Sequence, residues 1–163
     1  MLQACSPLQI PVYITTQNRA RLGETVSELQ PYFSGSHVRA DVDKTLFSMI
    51  TPEMREKLPA GHPVDAIIVG IETHICVTQT ALDLLRLGHR VYILADGVSS
   101  INPQERGIAL ARLRDAGAVV TTSESILFEI LGDAKKEGFK EINQLVKSTK
   151  GETKAALEVL CKV

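Results

Sequence analysis

Several features that would point directly to a function class are missing from this sequence of 163 residues. Its formal net charge is only -1, so charge gives no case for nucleic acid or an anionic membrane as the main partner. No apolar run approaches the roughly 18 residues that a membrane-spanning helix needs. The opening residues, MLQACSPLQIPV, lack the basic start and long apolar centre of a secretory signal. A soluble enzyme or binding domain is left as the general class.

Cysteine is also scarce. Cys5, Cys76 and Cys161 are widely spaced, so neither a disulfide framework nor a CxxC metal site is available. A reducing, cytoplasmic compartment is therefore expected. His74 and Cys76 form a poor metal pair without two further ligands nearby. The sequence has neither GxGxxG nor GxxxxGK, which argues against a nucleotide-binding domain of the Rossmann type. We expect neither a metal nor a cofactor.

Short apolar segments alternate with helical patterns along the chain. The segments at residues 11–16, 66–71, 90–96 and 118–123 are nearly continuous in Val, Ile and Thr, which is typical of strands buried on both faces. Between and after them, helices are predicted at residues 75–87, 103–116, 124–131 and 139–147. This rhythm predicts an α/β fold with a parallel sheet. Residues 34–43 are polar and are interpreted as an irregular connection.

The two ends of the chain are harder to interpret. The chain opens with a short helical stretch that leads directly into a strand, with no strand before it. The first strand of an open parallel sheet is often central, so its absence would leave buried backbone groups unpaired. At the other end, residues 148–163 either form a helix or are loosely attached. We therefore expect one domain over residues 1–147, incomplete at its N-terminus, and a C-terminal tail over 148–163.

The segment GIETHICVTQTALDLL, residues 70–85, carries the main candidate for chemistry. Thr73 is predicted to cap the helix, which makes Cys76 the third helical residue. There the sulfur lies near unpaired N–H groups and the positive end of the helix dipole, and both favour the thiolate. The alternative is that Cys76 is a small buried hydrophobic residue, as free cysteines commonly are.

Other polar residues have two interpretations each. By composition alone, Lys44 is best explained as a solvated lysine beside Asp41 and Asp43. Asp96 ends a strand and either points into the cleft or is a turn residue before a glycine, and the second interpretation is preferred. Glu72 is either a substrate contact or a hydrogen-bonding support for its loop.

Taken together, these segments resemble a known family. GIETHICVTQTALDLL, GHRVYILADGVSS and ERGIALARLRDAGAVVTTSES are similar to segments of the isochorismatase-like cysteine hydrolases, and most similar to eukaryotic isochorismatase domain-containing proteins. KTLFSM around Lys44, ITTQNRARLG and FKEINQLVK fit the same group. The resemblance extends to about residue 147 and implies a three-layer α/β/α fold and a homo-oligomer.

The resemblance also assigns site residues. Cys76 matches the nucleophile, and Lys44 matches the lysine that supports it. A cis peptide is implied before Glu72, with the N–H groups of Glu72 and Cys76 forming an oxyanion hole. Substrate-binding positions are expected at Gln17, Phe47, Glu72 and Thr73.

One element of the family pattern has no match. The family's catalytic Asp lies on a strand ahead of the opening helix, and no Asp of this sequence stands at a corresponding place. Two hypotheses follow. The chain is a hydrolase that acts on a small molecule through Cys76 and Lys44, or it is a catalytically impaired member that works by binding.

Overall fold

The computed structural model describes residues 1–161. Within that range the strands are β1 (Val12–Gln17), β2 (Val38–Lys44), β3 (Asp65–Ile71), β4 (Arg90–Ser99) and β5 (Val119–Thr121). The helices are α1 (Leu2–Cys5), α2 (Arg19–Leu22), α3 (Pro52–Lys57), α4 (Thr78–Arg86), α5 (Pro103–Asp115), α6 (Ser123–Leu131), α7 (Phe139–Ser148) and α8 (Lys150–Leu160). A π-helical turn, Thr73–Val77, precedes α4.

The strands pair in parallel and form two sheets. β1 pairs with β2, while β4 lies between β3 and β5. The predicted parallel pairing is therefore confirmed. The sheet is in two parts, since nothing within residues 1–161 pairs with the second edge of β1 or of β3.

β4 shows why its sequence is continuously apolar. Neighbouring residues of a strand point to opposite faces of the sheet. Val91 and Ile93 belong to a buried cluster with side chains of α4 and α5, whereas Tyr92 and Leu94 pack with Ile126 of α6. Helices thus cover both faces of this sheet, and the fold has the expected three α/β/α layers.

Most predicted elements are present with ends shifted by a few residues. The four predicted strands correspond to β1, β3, β4 and β5, and three of the predicted helices correspond to α5, α6 and α7. The region before β1 has one short helix, α1. The question about the tail is settled over its described part, because residues 150–160 form α8.

The prediction of an irregular connection at residues 34–43 is wrong, because most of it is β2. This strand exposes the charged side chains of Arg39, Asp41 and Asp43 on one face and buries Val42 and Lys44 on the other. A strand with one face against the core and the other in solvent has this alternating pattern. β2 contains no continuously apolar segment, so the apolar pattern of the sequence does not indicate it.

β4 contains more residues than the stretch of β3 with which it pairs. Ile68 of β3 pairs with Ile93, but Gly70, two residues further on, pairs with Val98. Pairing with β5 ends at Leu94. Residues 95–97 therefore form a bulge, which we call the β4 bulge.

A glycine is required inside the β4 bulge by the close approach of β3. A Cβ atom placed on Gly97 would lie 2.9 Å from Val69 Cγ1 and 3.2 Å from Leu94 Cβ. Both distances are shorter than ordinary carbon–carbon contacts of about 3.5–4.0 Å. A side chain here would push the bulge away from β3.

We expect Gly97→Ala to lower the free energy of unfolding by about 1–3 kcal/mol, the usual cost of overpacking. Urea denaturation measures the change. Gly107→Ala is the matched control, since Gly107 is an exposed residue of α5 with no heavy atom within 4 Å of the added Cβ. That control should gain up to ~1 kcal/mol from helix propensity. Equal stability of Gly97→Ala and wild type would contradict the packing argument.

Candidate active site

Lys44 and Cys76 are brought together where two parallel strands end. Lys44 is the last residue of β2, and Cys76 lies in the π-helical turn that follows β3. Thr80 links the two segments, because its hydroxyl accepts a hydrogen bond from Met49 N at 2.9 Å and donates one to Cys76 O at 2.7 Å. The carboxyl ends of parallel strands are the usual location of ligand sites in such folds.

Lys44 is almost completely enclosed, with 6% of its surface exposed. Its Nζ donates to Gln17 Oε1 at 2.6 Å, to Leu46 O at 2.9 Å and to Phe47 O at 3.0 Å. These three acceptors match the three N–H donors of an ammonium group. The interpretation of Lys44 as a solvated surface lysine is therefore wrong.

The electrostatics of Lys44 connect it with Cys76. Burial lowers the pKa of Lys44 below its usual 10.5, because removing the ammonium from water disfavours its charge. The negative charge of a Cys76 thiolate, and then that of Asp43, act in the opposite direction. Cys76 is therefore close enough for its negative charge, when the thiol is ionised, to act on the ammonium of Lys44.

Gln17 and Phe47, both expected to bind substrate, also have structural contacts. Gln17 accepts from Lys44 and donates through Nε2 to Thr45 O at 2.7 Å, so both ends of its amide are used within the protein. It holds the ammonium in place. Phe47 supplies a carbonyl to Lys44 while half of its surface, 51%, is exposed. Contact of either residue with substrate stays a prediction.

Threonine hydroxyls form hydrogen bonds with backbone carbonyls of the turn that carries Cys76. Thr78 Oγ1 donates to Thr73 O at 2.6 Å, and Thr80 takes the carbonyl of Cys76 in the same manner. Such hydroxyl-to-carbonyl bonds compete with the regular helical pattern. π-helical turns are found frequently at functional sites. Cys76 is half-buried here.

The predicted helix start differs from the observed one. The N-cap position is Glu72, and Thr73 is the first residue of the turn. Thr73 therefore lies inside the turn and is not its cap, and its hydroxyl donates to Ser99 O at 2.9 Å. Cys76 is consequently the fourth residue of the turn and not the third. Fully buried, Thr73 supports the turn against β4.

Glu72 also supports its loop. Its Oε2 accepts a hydrogen bond from Ile101 N at 2.8 Å, and His74 Nδ1 lies 3.9 Å from the same carboxylate. His74 Nδ1 is also 3.0 Å from Ser100 Oγ. The peptide bond between Ile71 and Glu72 is cis, as the resemblance implied. Participation of the Glu72 and Cys76 N–H groups in an oxyanion hole stays a prediction.

The candidate site lies outside two cavities of the protein surface. A cavity of about 460 Å³ is lined by α3, the loop after it and the end of α4, and one of about 240 Å³ lies among α6, α7 and α8. Neither is lined by Cys76 or Lys44. Within residues 1–161, no three His, Cys, Asp or Glu side chains are grouped to hold a metal ion. None of the helices described there is long and apolar enough to cross a membrane.

Comparison with known proteins gives the family. The model of the Isochorismatase domain matches residues 1–125, which is most of the chain. The chain belongs to the isochorismatase domain family. Among the family's curated members, isochorismatase domain-containing protein 2 of Xenopus laevis is 44% identical over 147 residues, covering 90% of this chain and 69% of that protein.

Two further relatives extend the comparison. The secreted isochorismatase effector Isc1 of Phytophthora sojae is 41% identical over 149 residues, covering 90% of this chain and 71% of its own. The solved structure of the MAR1 ribonuclease of Caenorhabditis elegans has a TM-score of 0.81 at 35% identity, covering 89% of this chain and 73% of that one. Because one relative's name describes a secreted protein, the cytoplasmic location of this chain stays a prediction.

The family's hydrolase-type fold is therefore shown for this chain.

The sequence pattern did not indicate the residues that support the site from the end of β4 and the two positions after it. Ser99, Ser100 and Ile101 bind the three residues after the cis peptide through a carbonyl, a hydroxyl and an N–H group. Two of these contacts use backbone atoms, and backbone contacts leave no mark on residue type.

Proposed function

We propose that the protein is a hydrolase that cleaves a small molecule by nucleophilic attack of the Cys76 thiolate. The observation that carries this proposal is the buried ammonium of Lys44, which is electrostatically linked to Cys76 at the end of the parallel strands. A fixed positive charge in a poorly solvated site favours the anionic form of a neighbouring thiol. Thiolates are the reactive form of cysteine.

The reaction would run in two steps. Cys76 Sγ attacks an electrophilic carbon, such as that of an amide or ester, and a carbon–sulfur bond forms as the leaving group departs with a proton. Water then adds to the thioester and releases the acid and the thiol. The three N–H groups of Lys44 already donate to oxygen atoms of the protein. Its role is therefore to stabilise the thiolate by its positive charge. The leaving group takes its proton from solvent, which received the proton of the thiol when the thiolate formed.

Family membership favours the hydrolase over a protein that only binds. The name of the C. elegans relative describes a ribonuclease, so RNA belongs in the substrate panel. The net charge of -1 gives no electrostatic support for a polyanionic substrate. We therefore propose a small neutral or weakly charged substrate, with short RNA oligomers as the contrasting members of the panel.

Alkylation by iodoacetamide, followed at each cysteine by peptide mass spectrometry between pH 6 and 9, tests the assignment. At pH 7 we expect Cys76 to react at least about tenfold faster than a free cysteine peptide, whose thiol ionises near pH 8.5. Cys161 is the internal control, because it is also half-buried and burial raises its pKa. If Cys76 reacts no faster than the peptide, the nucleophile assignment is wrong.

A further inference from the structure

Arg106 is a buried arginine whose partners are all backbone carbonyl groups. It lies in the first turns of α5 and is 8% exposed. Its Nε donates to Val98 O at 3.0 Å, its Nη2 to Ala95 O at 2.5 Å and its Nη1 to Leu160 O at 2.6 Å. The planar guanidinium therefore joins two points of β4 to the last residue of α8.

Of the two carbonyls on β4, one belongs to Ala95, the first residue of the β4 bulge, and the other to Val98, the residue that follows the bulge. A bulge leaves backbone groups without their ladder partners, and a buried carbonyl without a partner is destabilising. Asp96, between these carbonyls, is held separately, because its Oδ1 accepts from Ser123 N at 2.9 Å. Arg106 thus fixes the bulge at both ends, and Asp96 fixes it in the middle.

The residues that follow the bulge hold the turn that carries Cys76. Ser99 O binds the hydroxyl of Thr73, Ser100 Oγ binds His74, and Ile101 N binds Glu72. The position of Ser99 depends on where β4 emerges from the bulge, because only Val98 separates them. Hydrogen bonds of Arg106, the backbone from Val98 to Ile101 and hydrogen bonds of that segment therefore connect the guanidinium with the residues before Cys76.

We propose that Arg106 is a positioning residue for the active site, which sets the Cys76 turn through the β4 bulge and links its geometry to the docking of α8. This inference rests on the proposed function for its catalytic meaning. The link to α8 has a simple basis, since a cation at the last carbonyl of a helix also stabilises the helix dipole. Undocking of α8 leaves Arg106 with one partner fewer and loosens its hold on the bulge.

The test combines Arg106→Gln and Arg106→Lys with Arg112→Gln, an exposed arginine of the same helix, as the control. Hydrogen exchange at residues 72–77 is expected to accelerate at least about threefold in Arg106→Gln, because local opening becomes easier. Arg106→Lys should give a smaller effect, since an ammonium keeps the charge but not the three-way geometry. Alkylation of Cys76 at pH 7 should slow by about threefold in Arg106→Gln.

Cys5 reports general unfolding in the same samples. It is 4% exposed, and burial raises its pKa, so its alkylation depends on opening of the fold. We expect its rate in Arg106→Gln to rise by a smaller factor than the exchange at residues 72–77. If exchange at residues 72–77 is unchanged while α8 exchanges faster, Arg106 only anchors α8 and the proposal fails.

Parallel acceleration at every site, with Cys5 included, would also overturn the proposal, because it indicates a purely structural role. A wild-type Cys76 that lacks enhanced reactivity refutes the proposed function. In that case the exchange data alone decide whether Arg106 positions the turn.

Discussion

Replacing Cys76 by serine is expected to reduce turnover of the best substrate in the panel by roughly 10³-fold or more, the scale seen when a covalent nucleophile is removed. A serine hydroxyl is almost entirely un-ionised near neutral pH, and the charge of Lys44 alone is insufficient to change that. The side chains have similar size, so the fold should be retained. Initial rates and the urea midpoint measure the two effects.

Cys161→Ser is the matched control for this substitution. Both cysteines are half-buried, but Cys161 lies at the end of α8. Its replacement should leave turnover within about twofold of the wild type, since surface-type changes have small effects. An activated ester should add an acyl group to the wild type and to Cys161→Ser but not to Cys76→Ser, as read by intact mass. Retention of a tenth or more of the activity in Cys76→Ser would exclude covalent catalysis by this residue.

The sequence predicts well those parts of the fold in which the residue type at each position depends on the local environment of that position. β4 is covered on both faces, so every position from Val91 to Leu94 is apolar, and its strand was evident. Pro103 and the glycine after α5 marked the ends of that helix in the same local manner. β2 was missed because its stability depends on pairing with β1, a distant partner that local composition does not reveal.

The same distinction between local patterns and distant contacts applies to the site. Cys76 was identified from its position after a buried strand, which is a local pattern. The burial of Lys44 was not, because its enclosure comes from Gln17 on another strand and from two carbonyls. The β4 bulge and the π-helical turn could not be predicted from sequence either, since both arise from register and from backbone hydrogen bonds between distant segments. Substrate contacts of Phe47 and Glu72 remain predictions.

Lys44→Met is expected to separate activity from stability. In general, removal of a nearby opposite charge changes the pKa of an ionisable group by about one to three. Alkylation of Cys76 at pH 7 should therefore fall about tenfold or more, and turnover should fall with it. Lys57→Met, at an exposed lysine of α3, is the control and should change neither. Unchanged alkylation in Lys44→Met would show that the ammonium does not support the thiolate.

Stability should respond in the opposite sense or not at all. A buried charge costs desolvation energy, and its replacement by an apolar side chain of similar volume is commonly neutral or stabilising by about 1–4 kcal/mol. The carbonyls of Leu46 and Phe47 belong to exposed residues, so water can replace the lost donor. We expect the urea midpoint of Lys44→Met to equal or exceed that of the wild type. A large loss of stability would indicate that Lys44 is mainly structural.

The pH dependence of this difference follows from the pKa of Lys44. Because burial lowers that pKa in the folded protein, the unfolded chain binds more protons between the lowered value and the usual 10.5. The destabilising contribution of Lys44 is therefore complete below the lowered pKa, shrinks as pH rises through the interval, and vanishes above 10.5. Comparison of Cys76→Ser with Cys76→Ser/Lys44→Met removes the titration of the thiol. The unfolding free energy of the single variant should rise with pH relative to the double variant. A difference that stays flat up to pH 10.5 would mean that Lys44 keeps its ordinary pKa in the folded protein.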